Sequence, residues 1–229
     1  MNHPSFPSAW DSGPAADLRG PMERTNVTAL PLDALGDAAL VSALIQGSQR
    51  AASTIWHRHS PAVRRMLQRI LGPDQEIEDL LQDVFMGFVK NPSRLDDPGL
   101  LRSYLVAIAF RTAAMEIRRR KVRRWVTLTR TGDVPESPAH SRAEPDERRA
   151  LRALYQILDT LSARERLVFV ARHVEGMQID ETAAALAISK ATAWRLGKSS
   201  LQRVLEKAQH VPVLAEYVER ALKTSERLP

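Results

Sequence analysis

Apolar residues recur at intervals of three and four along most of the chain, the spacing that gathers them on one face of an α-helix. Leu40, Val41, Leu44 and Ile45 mark a first helix, with Asp37 as its N-cap and Gly47 as its stop. A second is expected from Gln49 through Trp56. Pro61 suits the first turn of a third, which carries Val63, Met66, Leu67, Ile70 and Leu71 and ends at Gly72. The stretch from Glu76 to Lys90 has its stripe at Ile77, Leu80, Leu81, Val84, Phe85 and Phe88. From Ser103 to Arg124 the stripe is Leu105, Ile108, Ala109, Thr112, Ala113 and Ile117. The pattern therefore predicts an all-α protein.

Two stretches interrupt the pattern. Residues 1–34 hold Pro4, Pro7, Pro14, Pro21 and Pro31 among Ser and Gly; they space too little apolar surface to offset the entropy of ordering and are expected to be a disordered leader. From Trp125 to Glu144 the helical period lapses around Gly132, Pro135 and Pro138, which predicts a flexible linker over 125–144. It would separate a helical domain over 35–124 from a second over 145–208. Twenty residues of relaxed chain span roughly 25 Å, and fully extended at most about 70 Å. Beyond the linker, Leu151, Leu154, Tyr155, Leu158 and Leu161 share one face. Ser162 and Glu165 form the S-x-x-E capping box of a following helix, which is expected to bury Leu167, Val168, Ala171 and Val174 before Gly176. Residues 209–229 give a last amphipathic helix from Pro212, with Val213, Leu214, Tyr217 and Val218.

Between these last elements, MQIDETAAALAISKATAWRLGKSSLQRV reads as a helix-turn-helix, with helices from about Ile179 and from Ser189 and a turn at Ala187 and Ile188. Ala183 is small enough for close packing, Leu186 and Ile188 fill the space between the helices, and Ser189 caps the second. That second helix presents Ser189, Lys190, Thr192, Trp194, Arg195 and Lys198, side chains able to reach base edges and phosphates. Trp194 suits a base-facing position and a core position equally.

Charge adds a second candidate. Between Arg111 and Arg124 stand Arg111, Arg118, Arg119, Arg120, Lys121, Arg123 and Arg124 against the single acid Glu116, a local +6 that equals the net charge of the whole chain. An excess gathered at one helix end suits a phosphate backbone. The preceding helix is its opposite: from Asp74 to Asp83 there are five acids and no base. The helix dipole accounts for acids in the first turn but not for Asp83, two turns further in.

Other classes are narrowed by what is missing. The chain has no cysteine, so it offers no disulfide, thiolate zinc site or thiol nucleophile. His57 and His59 lie two apart and do not share a helix face. No nucleotide-binding glycine loop or nucleophile elbow occurs, so neither a cofactor nor an enzyme is indicated. The longest apolar run, around Leu105 to Phe110, is too short to cross a bilayer, and the first residues given lack a basic stretch followed by an apolar run; no signal peptide, no membrane insertion and a cytoplasmic location are expected.

An acidic helix, a basic helix, a linker and a terminal helix-turn-helix, in that order, resemble the bacterial RNA polymerase sigma factors of the small extracytoplasmic-function type. IEDLLQDVF looks like that family's polymerase-docking helix, and YLVAIAFRTAAMEIRRR is similar to its helix that melts and reads the −10 element. The segment from Leu158 to Leu205, with its LSARER opening, looks like the −35-reading domain, and DAALVSALIQGSQRAA matches the first helix and its turn. The resemblance implies a dissociable subunit that binds core RNA polymerase and directs it to promoter DNA, with no catalytic residues of its own. It implies polymerase contacts at Glu78, Asp79, Gln82, Asp83 and Phe85, −10 contacts from the Arg111–Arg124 cations, −35 contacts from the second helix of the helix-turn-helix, and an anti-sigma factor as a further partner to be sought. The chain departs from the family's Arg-Asn at Phe110-Arg111, from its acid at Met115, from the turn Gly at Ala187, and from an apolar residue at Gly197. Two rival readings are a free-standing helix-turn-helix regulator and a protein–protein adaptor without DNA binding. The first leaves the acidic and basic helices without a task.

Overall fold

In the computed structural model, residues 35–72, 76–131 and 146–215 are described, with the side chains of the longest helix given as far as Arg124. The leader 1–34, Asp74, residues 132–145 and the last helix beyond Ala215 lie outside the described residues. All the regular structure described is helical: α1 (Asp37–Ile45), α2 (Gln49–Leu71), α3 (Ile77–Val89), α4 (Leu101–Thr131), α5 (Asp146–Asp159), α6 (Ala163–Phe169), α7 (Ile179–Leu186) and α8 (Lys190–Gln209), with short helical turns at Pro92–Arg94, Pro98–Leu100 and Val170–Val174.

The apolar stripes become the core. Leu40 and Val41 of α1, Ile55, Leu67 and Ile70 of α2, Leu81 and Phe88 of α3, and Leu105, Ala109, Phe110 and Ala113 of α4 are almost wholly buried against one another. Two edge-to-face aromatic pairs tie α3 to its neighbours: Trp56 with Phe85 at 4.7 Å and Phe88 with Tyr104 at 6.2 Å. Such pairs add about 0.5–1.5 kcal/mol beyond the area they bury. In the second group, Leu158, Leu161, Leu167, Val170, Ala171 and Val204 close the core of α5–α8.

Several elements differ from the expected boundaries. The second and third predicted helices are one helix: α2 runs through Pro61. Proline removes one hydrogen bond there, but buried Ile55, His59, Val63 and Met66 keep one continuous face across it. Asp37 is the first residue of α1, and the cap is Gly36; the Asp37 carboxylate is drawn instead to Arg58 at 2.7 Å and to His59. α4 continues through Thr131, seven residues past Arg124, because the β-branched residues there lower helix propensity only by tenths of a kcal/mol and the first true breaker is Gly132. α6 passes into a π-type turn, with the Glu175 N–H donating to Val170 O at 2.9 Å. The extra residue rotates Val174 off the buried stripe, leaving it 44% exposed. Leu151 is likewise exposed rather than facing the core.

The two helical groups pack directly on each other, and their buried residues form one continuous apolar cluster. α4 packs against α6 and α7, and the polar part of the contact is built on the C-terminus of α2, whose last carbonyls lack the full set of partners within their own helix. Arg166 of α6, only 3% exposed, donates from Nε to Ile70 O at 2.6 Å and from Nη1 to Asp159. The Tyr155 hydroxyl donates to Gln68 O at 2.9 Å, while its ring lies over Gly72, where a Cβ would stand 3.4 Å away. Gly72 also turns at φ 90°, a conformation open chiefly to glycine. Burial of the Arg166 guanidinium pushes its pKa down, opposed by Asp159. At the rim, Lys121 Nζ donates to Leu161 O (2.6 Å), Arg124 pairs with Asp159 (3.0 Å) and Arg69 with Glu175 (2.8 Å).

Candidate nucleic-acid interface

The helix-turn-helix forms as its residues demand. A second capping box, Gln178 with Glu181, opens α7, and Ala187 at φ 51°, ψ 49° supplies the left-handed turn. Ser189 then caps α8, accepting the Thr192 N–H on Oγ at 3.2 Å and sharing a 2.8 Å hydrogen bond with the Thr192 hydroxyl. Thr182, Ala183, Ala193, Gly197 and Ser200 are buried where the helices meet. Gly197 fills the position where the family has an apolar residue, and a Cβ there would meet Val168, Arg172 and His173 at ordinary contact distances. The opposite face of α8 is open: Lys190, Trp194, Arg195 and Lys198 are all exposed. Trp194 is 60% exposed and is not a core anchor, and the Lys198 ammonium stands 5.4 Å from its ring centre. Lys190 is held by Asp180 of α7 at 2.7 Å.

The basic end of α4 is less uniform than its sequence. Glu116, the one acid in the run, is 3% exposed, and Arg119, Arg120 and Arg123 converge on it at 2.8–3.0 Å. The same three arginines reach Glu76 at the start of α3 at 3.2–3.7 Å. The Arg123 hydrogen bond, with the neighbouring charges, lowers the Glu76 pKa to about 2. Lys121 and Arg124 hold the α5–α6 corner, as described above. Of the seven cations, Arg111, Arg118 and Lys121 are without an ion pair among the described residues; Lys121 is taken up by Leu161 O, while Arg111 and Arg118 line an open groove of about 640 Å³ between α3–α4 and α6–α7, with Met86, Met115, Arg164 and Leu186. Phe110 is fully buried, whereas Arg111 is exposed and Met115 is 60% exposed, so of the departing positions along this helix Arg111 and Met115 face outward and Phe110 does not.

On α3, Glu78, Asp79, Gln82 and Asp83 share an exposed face. Glu78 is bound bidentately by Arg64 at 2.7 Å, which lowers its pKa. Phe85 does not belong to that face: it is 4% exposed and packs against Trp56. Its spacing from Leu81 and Phe88 had already placed it on the apolar stripe. Met86, 52% exposed beside Asp83 and Gly87, is the large apolar side chain that sequence reasoning passed over, and its position off the buried stripe was the available signal.

The comparisons with known proteins agree with this arrangement. Residues 55–123 match Sigma-70 region 2 and residues 151–204 match Sigma-70 region 4. The RNA polymerase sigma-E factor of Streptomyces coelicolor is 32% identical over 166 residues, which cover 72% of this chain and 88% of that one. This chain belongs to the sigma factors of bacterial RNA polymerase, of the extracytoplasmic-function type. It binds core polymerase and directs promoter recognition in transcription initiation; the free-standing regulator and the adaptor are not favoured. Two solved structures share the fold. CnrH in complex with the cytosolic domain of CnrY aligns with a TM-score of 0.52 at 21% identity, covering 73% of this chain and 94% of that one. The sigma factor RpoE in complex with the anti-sigma factor NepR from Bartonella quintana gives 0.50 at 19%, covering 66% and 92%. The sigma factor's acidic α3, basic α4 and helix-turn-helix thus fall in the order that the family uses. Among the described residues no helix is long and apolar enough to cross a membrane.

Proposed function

We propose that the two helical groups of this sigma factor divide the promoter between them. The exposed face of α3, with Asp79, Gln82, Asp83 and Met86, docks on a basic surface of core polymerase. Arg111 and Arg118 of α4 meet the phosphates of the −10 element, and the exposed face of α8 meets the −35 duplex. The chain supplies binding and positioning but no chemistry, and acts in the cytoplasm. The RpoE neighbour, solved with an anti-sigma factor, makes a regulator of that kind a candidate partner here as well.

The observation that supports this division is the sharing of cations. Lys121 and Arg124 belong to the run that would face phosphate, yet here they bind Leu161 O and Asp159 of the second group. Phosphate and the second group therefore compete for the same side chains. The packed arrangement is accordingly a resting form, which polymerase opens by holding each group on its own surface. The test is promoter-dependent run-off transcription by core polymerase with the wild-type protein and with Asp83→Arg. The variant, altered at an exposed position, should fold normally and lose polymerase affinity, since reversing a charge at a close interfacial pair can cost several kcal/mol. Unchanged affinity in competition binding would remove α3 from the interface.

A further inference from the structure

We infer that Trp194 is the thymine reader of α8, making apolar contact with the C5-methyl group of a thymine in the −35 duplex. The inference rests on the reading that α8 enters the major groove and goes beyond it in naming the base and the atom. The groups on the open face of α8 are already sorted by their partners. Ser189 Oγ and Thr192 Oγ1 bind each other, and Ser189 also accepts the Thr192 N–H, so both hydroxyls are occupied in capping the helix. Lys190 is paired with Asp180. Lys198 lies over the indole, 5.4 Å from the ring centre, where it is placed to follow the backbone while stiffening the ring. That leaves Arg195 and Trp194 to face base edges.

Of these, Arg195 suits the paired acceptors of guanine, and the indole offers a broad apolar surface. The major groove presents one apolar group, the thymine methyl. Trp194 is 60% exposed in the middle of an otherwise charged face, four residues from Lys190 on one side and four from Lys198 on the other, so the ring projects between the two cations. Lone exposed apolar residues are ordinary on a protein surface. One centred on the helix that meets DNA, and held by a cation, is placed for recognition.

The test changes the methyl and nothing else. Promoter duplexes are selected with core polymerase and the full-length protein from a pool randomised across the upstream element. The selected duplex is then resynthesised with deoxyuridine in place of each thymidine in turn, which keeps the base pair and removes the methyl. For the wild type, at least one replacement should weaken binding about fourfold, the value of one buried carbon of this size. Trp194→Ala should bind the thymine duplex more weakly and no longer distinguish it from the uracil one. Arg195→Ala should weaken binding but keep the distinction. Equal wild-type affinity for both duplexes, a selected element without thymine, or a Trp194→Ala protein that still discriminates would each overturn the inference. So would a loss of core-polymerase affinity in Trp194→Ala without DNA, which would assign the ring to a protein contact. A selection that enriches no upstream element would instead defeat the reading of α8 as the −35 helix.

Discussion

At the scale of single residues, the positions that depart from the family pattern are the ones whose cost can be stated. Ala187 holds φ 51° in the turn between α7 and α8, where a Cβ costs about 1–2 kcal/mol relative to glycine. Ala187→Gly should raise unfolding free energy by about 1 kcal/mol in urea titration, part of the relief being offset by the greater freedom of glycine in the unfolded chain. A lower midpoint would show that the alanine is not strained. Phe85 and Asp83 separate in the same way. Phe85→Ala empties a buried aromatic site and should cost about 3–5 kcal/mol of stability, whereas Asp83→Arg should leave the melting curve in place and act on polymerase binding alone. The residue types were legible from spacing; their partners were not. Arg119, Arg120 and Arg123 stand three, four and seven residues from Glu116 and so share its helix face; what nothing in the sequence says is that Glu76, forty residues earlier, arrives beside the same arginines.

At the scale of elements, α4 carries both the clearest success of pattern reading and its main error. Every residue of its predicted stripe, Leu105, Ile108, Ala109, Thr112, Ala113 and Ile117, is buried. A period of 3.6 is enforced by burial and so survives in the sequence. Its end does not, since helix termini are set by small propensity differences and by whatever packs against them. The basic end divides likewise. Arg118→Ala, at a cation without an acidic partner among the described residues, should lower the salt slope of promoter binding by about 0.7 for single-stranded or 0.9 for duplex phosphate. Arg120→Ala should chiefly lower stability, because Arg120 binds Glu116 and Leu71 O. An equal slope change from both would mean that the acidic knot opens on DNA. The knot also predicts a pH dependence. The Glu76 pKa falls from 4.5 to about 2 on folding, so its contribution is complete above pH 4.5 and is lost as pH falls from there towards 2. Glu76→Gln should therefore flatten the acid limb of the stability curve in that window; an unchanged limb would show that Glu76 gains nothing from its arginines.

At the scale of the whole molecule, the helix order predicted two domains on a linker, and the structure shows the two groups packed on each other through α4 and the end of α2. In the sequence Tyr155 reads as a stripe member and Arg166 only as the last residue of LSARER; their docking on carbonyls nearly a hundred residues earlier is a tertiary fact with no local trace. With α4 running to Thr131, the stretch left between the groups is residues 132–145. Fully extended, those fourteen residues reach at most about 50 Å, less than a linker begun at Trp125 would allow. The packed form can be locked because the chain has no cysteine of its own. Arg69→Cys with Glu175→Cys, joined by a short bis-maleimide across the pair that stands 2.8 Å apart, should abolish promoter-dependent transcription, while each single variant treated alike stays active. Full activity of the locked protein would show that the groups need not part. The central claim, that polymerase converts a self-packed chain into a two-element promoter reader, is tested most directly by the affinity of the full-length protein for a promoter duplex carrying both elements, with and without core polymerase. The expected result is weak, salt-sensitive binding alone and tight, sequence-specific binding with core enzyme. Specific binding by the free protein as strong as with polymerase present would contradict it.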